Sequence, residues 1–291
     1  MSLAMFLIQG CDNKKASLGA DNEIRVICSK EDRDVVEKYL SLVFTDTIFT
    51  PEPEPYYYLK FSDPATYNRL KTQAYIIIAS TNRNPDNSGY QLIKQILPKY
   101  QLDEIQNDDP MILGKDIFAK DQLFMILNFE NEQKTNKLIQ DKKGFIRQKY
   151  HDQFLARQRK FILDGFSNTK LENDFSLKYD WSIKIPWGWE LIKERPDSNF
   201  IWIGREMPFQ WISISWESGN ITSNELKAGK YLWNWLPKYY GYIQSSEHKF
   251  NLDKTNFNNN YAWRLKGVWE TIELKESKGG PFVSYLFYDE N

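Results

Sequence analysis

Apolar and polar positions change period several times along the chain, and each change marks an element. Ile24–Cys28 is an apolar run of strand length. Over Glu31–Phe44 the spacing shifts, with Val35, Val36, Tyr39, Leu40, Val43 and Phe44 recurring at helical intervals. Tyr56–Phe61 reads as an aromatic strand. Asp63–Leu70 reads as a short helix, with Asp63 capping it and Pro64 at the first helical position. Tyr75–Ser80 and Leu123–Phe129 are apolar on both faces, which suits central strands of a covered sheet. Leu92–Leu97 belongs to a helix that Pro98 closes. Glu132–Asp164 predicts one long helix: Leu138, Ile139, Phe145, Ile146, Tyr150, Phe154, Leu155, Phe161 and Ile162 repeat on one side, and Gly165 and Ser167-Asn168 mark its end. Strands alternating with helices over residues 23–166 predict a sheet covered by helices.

From residue 178 to 291 the period-two pattern dominates. Trp181–Ile185, Glu190–Lys193, Phe200–Arg205, Gln210–Trp216, Tyr240–Ser245, Tyr261–Trp269 and Phe282–Tyr288 read as strands, with one helix over Ser223–Leu236 that Pro237 stops. The class expected is α+β: an N-terminal part of alternating strands and helices, then a mainly antiparallel β part. Residues 167–178 are only moderately linker-like, so the pattern leaves open two domains or one continuous domain.

Composition sharpens this division. All ten tryptophans lie between Trp181 and Trp269. The chain has 291 residues, 41% hydrophobic and 26% charged, enough to bury roughly 70–75% of the unfolded surface without a metal or disulfide staple. The net charge of −1 excludes a globally basic nucleic-acid binder and a strongly acidic solvating protein. Of two cysteines, Cys28 ends a strand and reads as a buried core thiol.

Cys11 ends a different pattern. Residues 1–11 are apolar but too short to span a bilayer, which takes about 20 apolar residues. Ile8-Gln9-Gly10-Cys11 is similar to the lipobox of a bacterial lipoprotein signal, cleaved before Cys11 and acylated on its sulfur. Gln9 is an unusual lipobox residue and no Lys or Arg precedes the apolar core, as it would if the start codon lay upstream of Met1; the other reading is a frayed or strand-forming N-terminus. Asp12–Asn22 is polar and small, the composition of a flexible tether, so residues 1–22 read as signal remnant and tether.

Several segments together carry a family resemblance. Ile24–Cys28 with its following helix, Pro51-Glu-Pro-Glu-Pro55 before an aromatic strand, and Leu265-Lys-Gly-Val-Trp-Glu270 followed by Gly279-Gly-Pro-Phe-Val-Ser284 resemble domain of unknown function 4837, a family of uncharacterised bacterial lipoproteins. Lys278 departs from the methionine expected there. The resemblance implies export to the cell envelope and a lipid anchor. It implies no activity and no catalytic residues.

The search for chemistry returns little. His151 and His248 stand in no metal spacing, and no C-x-x-C, G-x-S-x-G, G-x-G-x-x-G or P-loop occurs. No metal and no cofactor is expected. Gly279-Gly280-Pro281 is the most suggestive loop, either a backbone surface that a ligand approaches or a tight turn. Pro51–Pro55 reads as extended, polyproline-like chain. The long helix is basic: Lys134, Lys137, Lys142, Lys143, Arg147, Lys149, Arg157, Arg159 and Lys160 face only Asp141 and Asp152 between Lys134 and Lys160. That composition suits an anionic surface or, more simply, the solvated face of an amphipathic helix.

Alternation over Trp211–Trp216 places Trp211, Ser213 and Ser215 on one face and Ile212, Ile214 and Trp216 on the other. The second set reads as core and Trp211 as a rim or groove residue. The function expected is therefore a non-catalytic envelope lipoprotein that binds a ligand or an envelope protein, not nucleic acid, with Trp187, Trp189 or Trp211 at the contact and Gly279 and Gly280 close by. The alternative is an envelope hydrolase working through paired carboxylates that the sequence does not single out.

Overall fold

The computed structural model describes residues 14–49, 53–107, 109–207, 209–273 and 278–289. Cys11 and the rest of the lipobox lie outside them. Among the described residues the chain forms two compact units, one within Met1–Asp46 and Pro55–Asp164, the other within Thr47–Glu54 and Gly165–Asn291.

In the first unit β1 (Glu23–Ile27) leads into α1 (Arg33–Val43). Before β4 (Tyr58–Ser62) the small strands β2 (Thr47–Phe49) and β3 (Pro53–Pro55) pair with each other, and Thr47–Glu54 belongs to the second unit. A 3-10 turn over Pro64–Thr66 opens α2 (Tyr67–Leu70), and the Asp63 carboxylate accepts the Ala65 amide as a cap. Then come β5 (Tyr75–Ser80), α3 (Ser88–Ile96), α4 (Lys99–Asn107), β6 (Met111–Lys115), β7 (Leu123–Asn128) and the 32-residue α5 (Glu132–Leu163).

The sheet order is β4-β1-β5-β7-β6, parallel except for β6. Alternation along the strands divides two cores. Ile24, Val26, Tyr75, Ile77, Leu123 and Met125 pack under α1 and α5, against Tyr39, Leu40, Ile139 and Tyr150. Ile27, Ile76, Ile78, Phe124 and Ile126 pack under α2 and α3, against Tyr67, Leu70, Leu92 and Ile93. Both-face burial is what the apolar runs of β5 and β7 require.

From Gly165 on, the second unit holds α6 (Thr169–Tyr179), β8 (Glu190–Arg195), β9 (Phe200–Arg205), β10 (Gln210–Ser215), α7 (Glu225–Tyr240), β11 (Ile243–Phe257), β12 (Asn260–Thr271) and β13 (Gly279–Phe287). Two antiparallel three-stranded sheets result, β10-β9-β8 and β11-β12-β13. One face of β9, with Ile201 and Ile203, packs on Phe175 of α6 and on Ile185 and Trp189. Phe200 on the other face stacks on Tyr239 of α7, while Ala228 and Leu232 of α7 pack on Trp263 and Leu265 of β12. Together the two units establish the α+β class, with a mixed sheet first and antiparallel strands in the tryptophan-rich part.

Several sequence expectations are corrected. The segment read as linker holds α6, capped by the Asn168 side chain on the Leu171 amide. Trp181–Ile185 forms no strand. Pro237 does not stop α7: it sits in the last turn, and Gly241, at φ 81°, ends the helix with its amide on the Pro237 carbonyl. Tyr240 is therefore helical.

Gly279-Gly280-Pro281 is not a loop but the start of β13, paired with Glu270, Trp269 and Val268. Neither glycine has positive φ; a Cβ on Gly279 would meet the Trp269 carbonyl at 2.8 Å, so close strand packing explains the pair. Pro53–Pro55 is a short strand rather than polyproline, and Pro51 and Glu52 lie outside the described residues. Residues 14–22 are not a free tether: the Ser17 amide bonds the Lys120 carbonyl, Leu18 bonds Thr72, and Ser17 is buried.

Candidate functional site

Two regions have the construction of a site. The first is where parallel strand order reverses. The chain leaves β1 through α1 over one face and leaves β5 through α3 over the other, and such switch points are where open α/β sheets bind ligands. Here the chain fills the crevice itself. Asp32, at the N-terminus of α1, is 1% exposed. Its carboxylate accepts from the Thr81 hydroxyl and from Asn87 Nδ2 at 2.9 Å, and its own amide bonds Ser29 Oγ. Asn87 in turn caps α3 on the Tyr90 amide. A carboxylate between two helix N-termini occupies the position an anionic ligand would take. Burial, with Asp32 beside it, pushes the neighbouring Cys28 thiol up to about 12, so that sulfur stays protonated.

The second region is an aromatic platform built by α7 and strands of both sheets in the second unit. Trp202 on β9 meets Trp211 on β10 edge to face at 5.2 Å and Tyr240 of α7 at 4.9 Å. Trp211 continues to Trp269 of β12 at 6.0 Å and to Phe209 at 6.5 Å. Tyr240, whose hydroxyl bonds Ser213 and whose phenol burial pushes up to about 12, reaches Tyr242 at 6.3 Å. Phe209 and Tyr242 are exposed, whereas Trp202, Trp211 and Trp269 are half-buried. Gly204 makes room: a Cβ there would stand 2.6 Å from Trp211 Cδ1. Gly280 does the same under Trp269, whose Nε1 would lie 3.1 Å from a Cβ.

Trp211 and Gly280 are thus brought to one place through Trp269. Trp189 is not there; it is 7% exposed in the core against α6. Trp187 is 74% exposed at a separate turn, its amide on the Phe166 carbonyl, and Gly279 pairs with Glu270 one step beyond the platform. Sequence reasoning missed Trp202, Trp269 and Tyr240 as platform members. The β9–β10 hairpin register, which sets Ser213 opposite Trp202 and Trp211 opposite Gly204, would have found Trp202. Tyr240 requires a helix continuing past Pro237.

Beside the platform, the exposed face of α7 carries a groove of about 320 Å³. Lys227, Lys230, Tyr231, Asn234, Trp235 and Lys238 lie on that face at helical spacing. Trp235 Nε1 donates to Ser215 Oγ at 2.8 Å, and Lys238 pairs with Glu217 at 3.3 Å.

Acid–base chemistry has no support in the displaced carboxyl groups. A hydrolytic general acid needs a raised pKa. Glu194 is held low by Lys178 and Tyr179, and Asp253 by Arg264. Burial raises Glu172, but the Ile185 amide and Lys184 outweigh it and the group ends below its usual range. Among the described residues no group of three His, Cys, Asp or Glu side chains is placed to hold a metal, and no helix is long and apolar enough to cross a membrane. The basic run of α5 is largely met by acids from elsewhere in the first unit: Lys134 by Glu130, Lys142 by Asp109, Arg147 by Asp46, Arg157 by Asp21 and Lys160 by Asp121. No protein-family model, no curated protein and no solved structure matches the chain.

Proposed function

We propose that this protein is an exported bacterial lipoprotein, held to an envelope membrane through Cys11, that binds a ligand or an envelope partner on the aromatic platform of its second unit. The observation that carries the binding role is the half-open cluster of Trp202, Trp211, Tyr240 and Trp269 with Phe209 and Tyr242 at its rim. Large, rigid aromatic bodies beside hydroxyls recognise partners at small entropic cost. The anchor rests on Ile8-Gln9-Gly10-Cys11 and on the lipoprotein resemblance.

The anchor is tested by expressing the gene with its own upstream region, fractionating the cells and weighing the intact protein. The native chain is expected in the membrane fraction with the added mass of acyl chains, and Cys11→Ser in the soluble fraction without it. A native chain that is soluble and unacylated contradicts the anchor.

A further inference from the structure

The edge of the first unit where the parallel strands begin is the end at which the described chain starts. Ala16 bridges to Lys120 just before β7, and Leu18 bridges to Gln73 just before β5. The C-terminal end of α5 comes down to the same edge: Arg157 bonds Asp21 at 2.7 Å and Ser17, and Lys160 pairs with Asp121 at 2.7 Å. Gln122 ties in the turn after α2 through the Lys71 and Gln73 carbonyls, both at 2.7 Å, and its own carbonyl accepts the Asp116 amide at the end of β6. Lys14 reaches the Asp116 carbonyl.

These bonds gather charge. Lys14, Lys15, Lys71, Lys115, Lys120 and Lys160 stand at this edge with Arg157, against Asp21, Asp116, Asp121, Asp164 and Glu23, the last paired with Arg25. Asp21 is taken by Arg157 and Asp121 by Lys160, so the surplus is positive. Two residues, Asp12 and Asn13, separate Cys11 from Lys14, a span of at most ~11 Å. A lipid on Cys11 would therefore keep Lys14 and this edge within about a screening length of the headgroups.

We propose that this lysine edge is a docking surface for a bilayer rich in anionic phospholipid, and that it sets which face of the first unit lies against the membrane. The lipid would fix the end of the chain, and the charge would fix its orientation. The reach argument rests on the anchor reading; the charge argument does not.

The test uses the full chain carrying Cys11→Ser, so that acylation plays no part and a failed anchor is told apart from a failed patch. Cosedimentation is measured with phosphatidylglycerol–phosphatidylcholine vesicles and with pure phosphatidylcholine vesicles, at low and high salt. Binding is expected only to the anionic vesicles, lost at high salt, and weakened about fivefold by each of Lys15→Gln and Lys115→Gln, two exposed side chains. Absence of binding to anionic vesicles, equal binding to both kinds, or unchanged binding of the double variant overturns the proposal.

Discussion

Tyr150 shows how the first core balances shape against polarity. Its ring packs on Phe44 at 5.0 Å, Tyr75 at 5.7 Å and Tyr57 at 6.4 Å, and it is fully buried. Its hydroxyl has no hydrogen-bond partner, and burial, with Tyr75 adding to it, drives the phenol well above its ordinary range. An unpaired buried hydroxyl costs about 1–3 kcal/mol. Tyr150→Phe is therefore expected to leave stability unchanged or raise it by about 1 kcal/mol, read from the denaturant midpoint; a loss above that size would mean the hydroxyl is bonded. Gly204 sets the opposite limit. An added Cβ meets the Gln210 carbonyl at 2.6 Å as well as Trp211. Gly204→Ala should cost about 1–3 kcal/mol and perturb the Trp211 indole resonance, and an unshifted indole would contradict the placement of Trp211 over that strand.

Between elements, the contact of α6 with β8 depends on one carboxylate. Glu194 accepts from Lys178 at 2.7 Å and from the Tyr179 hydroxyl, and these partners hold its pKa below the usual value. A depressed folded pKa gives stability that is present above the unfolded value, about 4.3, and is lost as pH falls through the folded value. Wild type should thus be more stable than Glu194→Gln at neutral pH, with the gap closing below about pH 4; a gap independent of pH would exclude an ionised Glu194. Elements with an unbroken period were legible in the sequence: β5, β9 and nearly all of α5 fall where the pattern puts them. Those missed have specific causes. In β6, Gly114 interrupts an otherwise short apolar run. In α6, Phe175 is the buried residue, Leu171 and Tyr179 are only partly buried and Leu177 is exposed, so the apolar stripe is short and broken. The end of α7 was hidden because proline costs little where only the last turn remains. Alternation separates the faces of β10, with Ser213 and Ser215 bonding Tyr240 and Trp235 on the α7 side while Trp216 packs with Trp181, but the second face is not core throughout, since Ile212 is exposed. The platform itself was only partly legible, because Trp187 and Trp189 sit in the turn before β8 while Trp211 lies on β10, and local pattern does not tell which of them the fold brings to the other aromatic side chains.

For the molecule as a whole, the parallel sheet closes its own switch point with Asp32, while the tryptophan-rich unit leaves aromatic surface open. On that contrast we propose that recognition belongs to the second unit, and the anchor reading would give attachment to the first. Its most direct test is site-specific photocrosslinking in the native cells, with a photoreactive phenylalanine placed in turn at Phe209, Tyr242, Lys137 and Lys143. All four are exposed, the first two at the platform rim and the last two on α5. The result expected is a discrete adduct from positions 209 and 242, abolished by Trp211→Ala in a chain that still folds, and none from positions 137 and 143. Adducts from α5 with none from the platform rim would contradict the account.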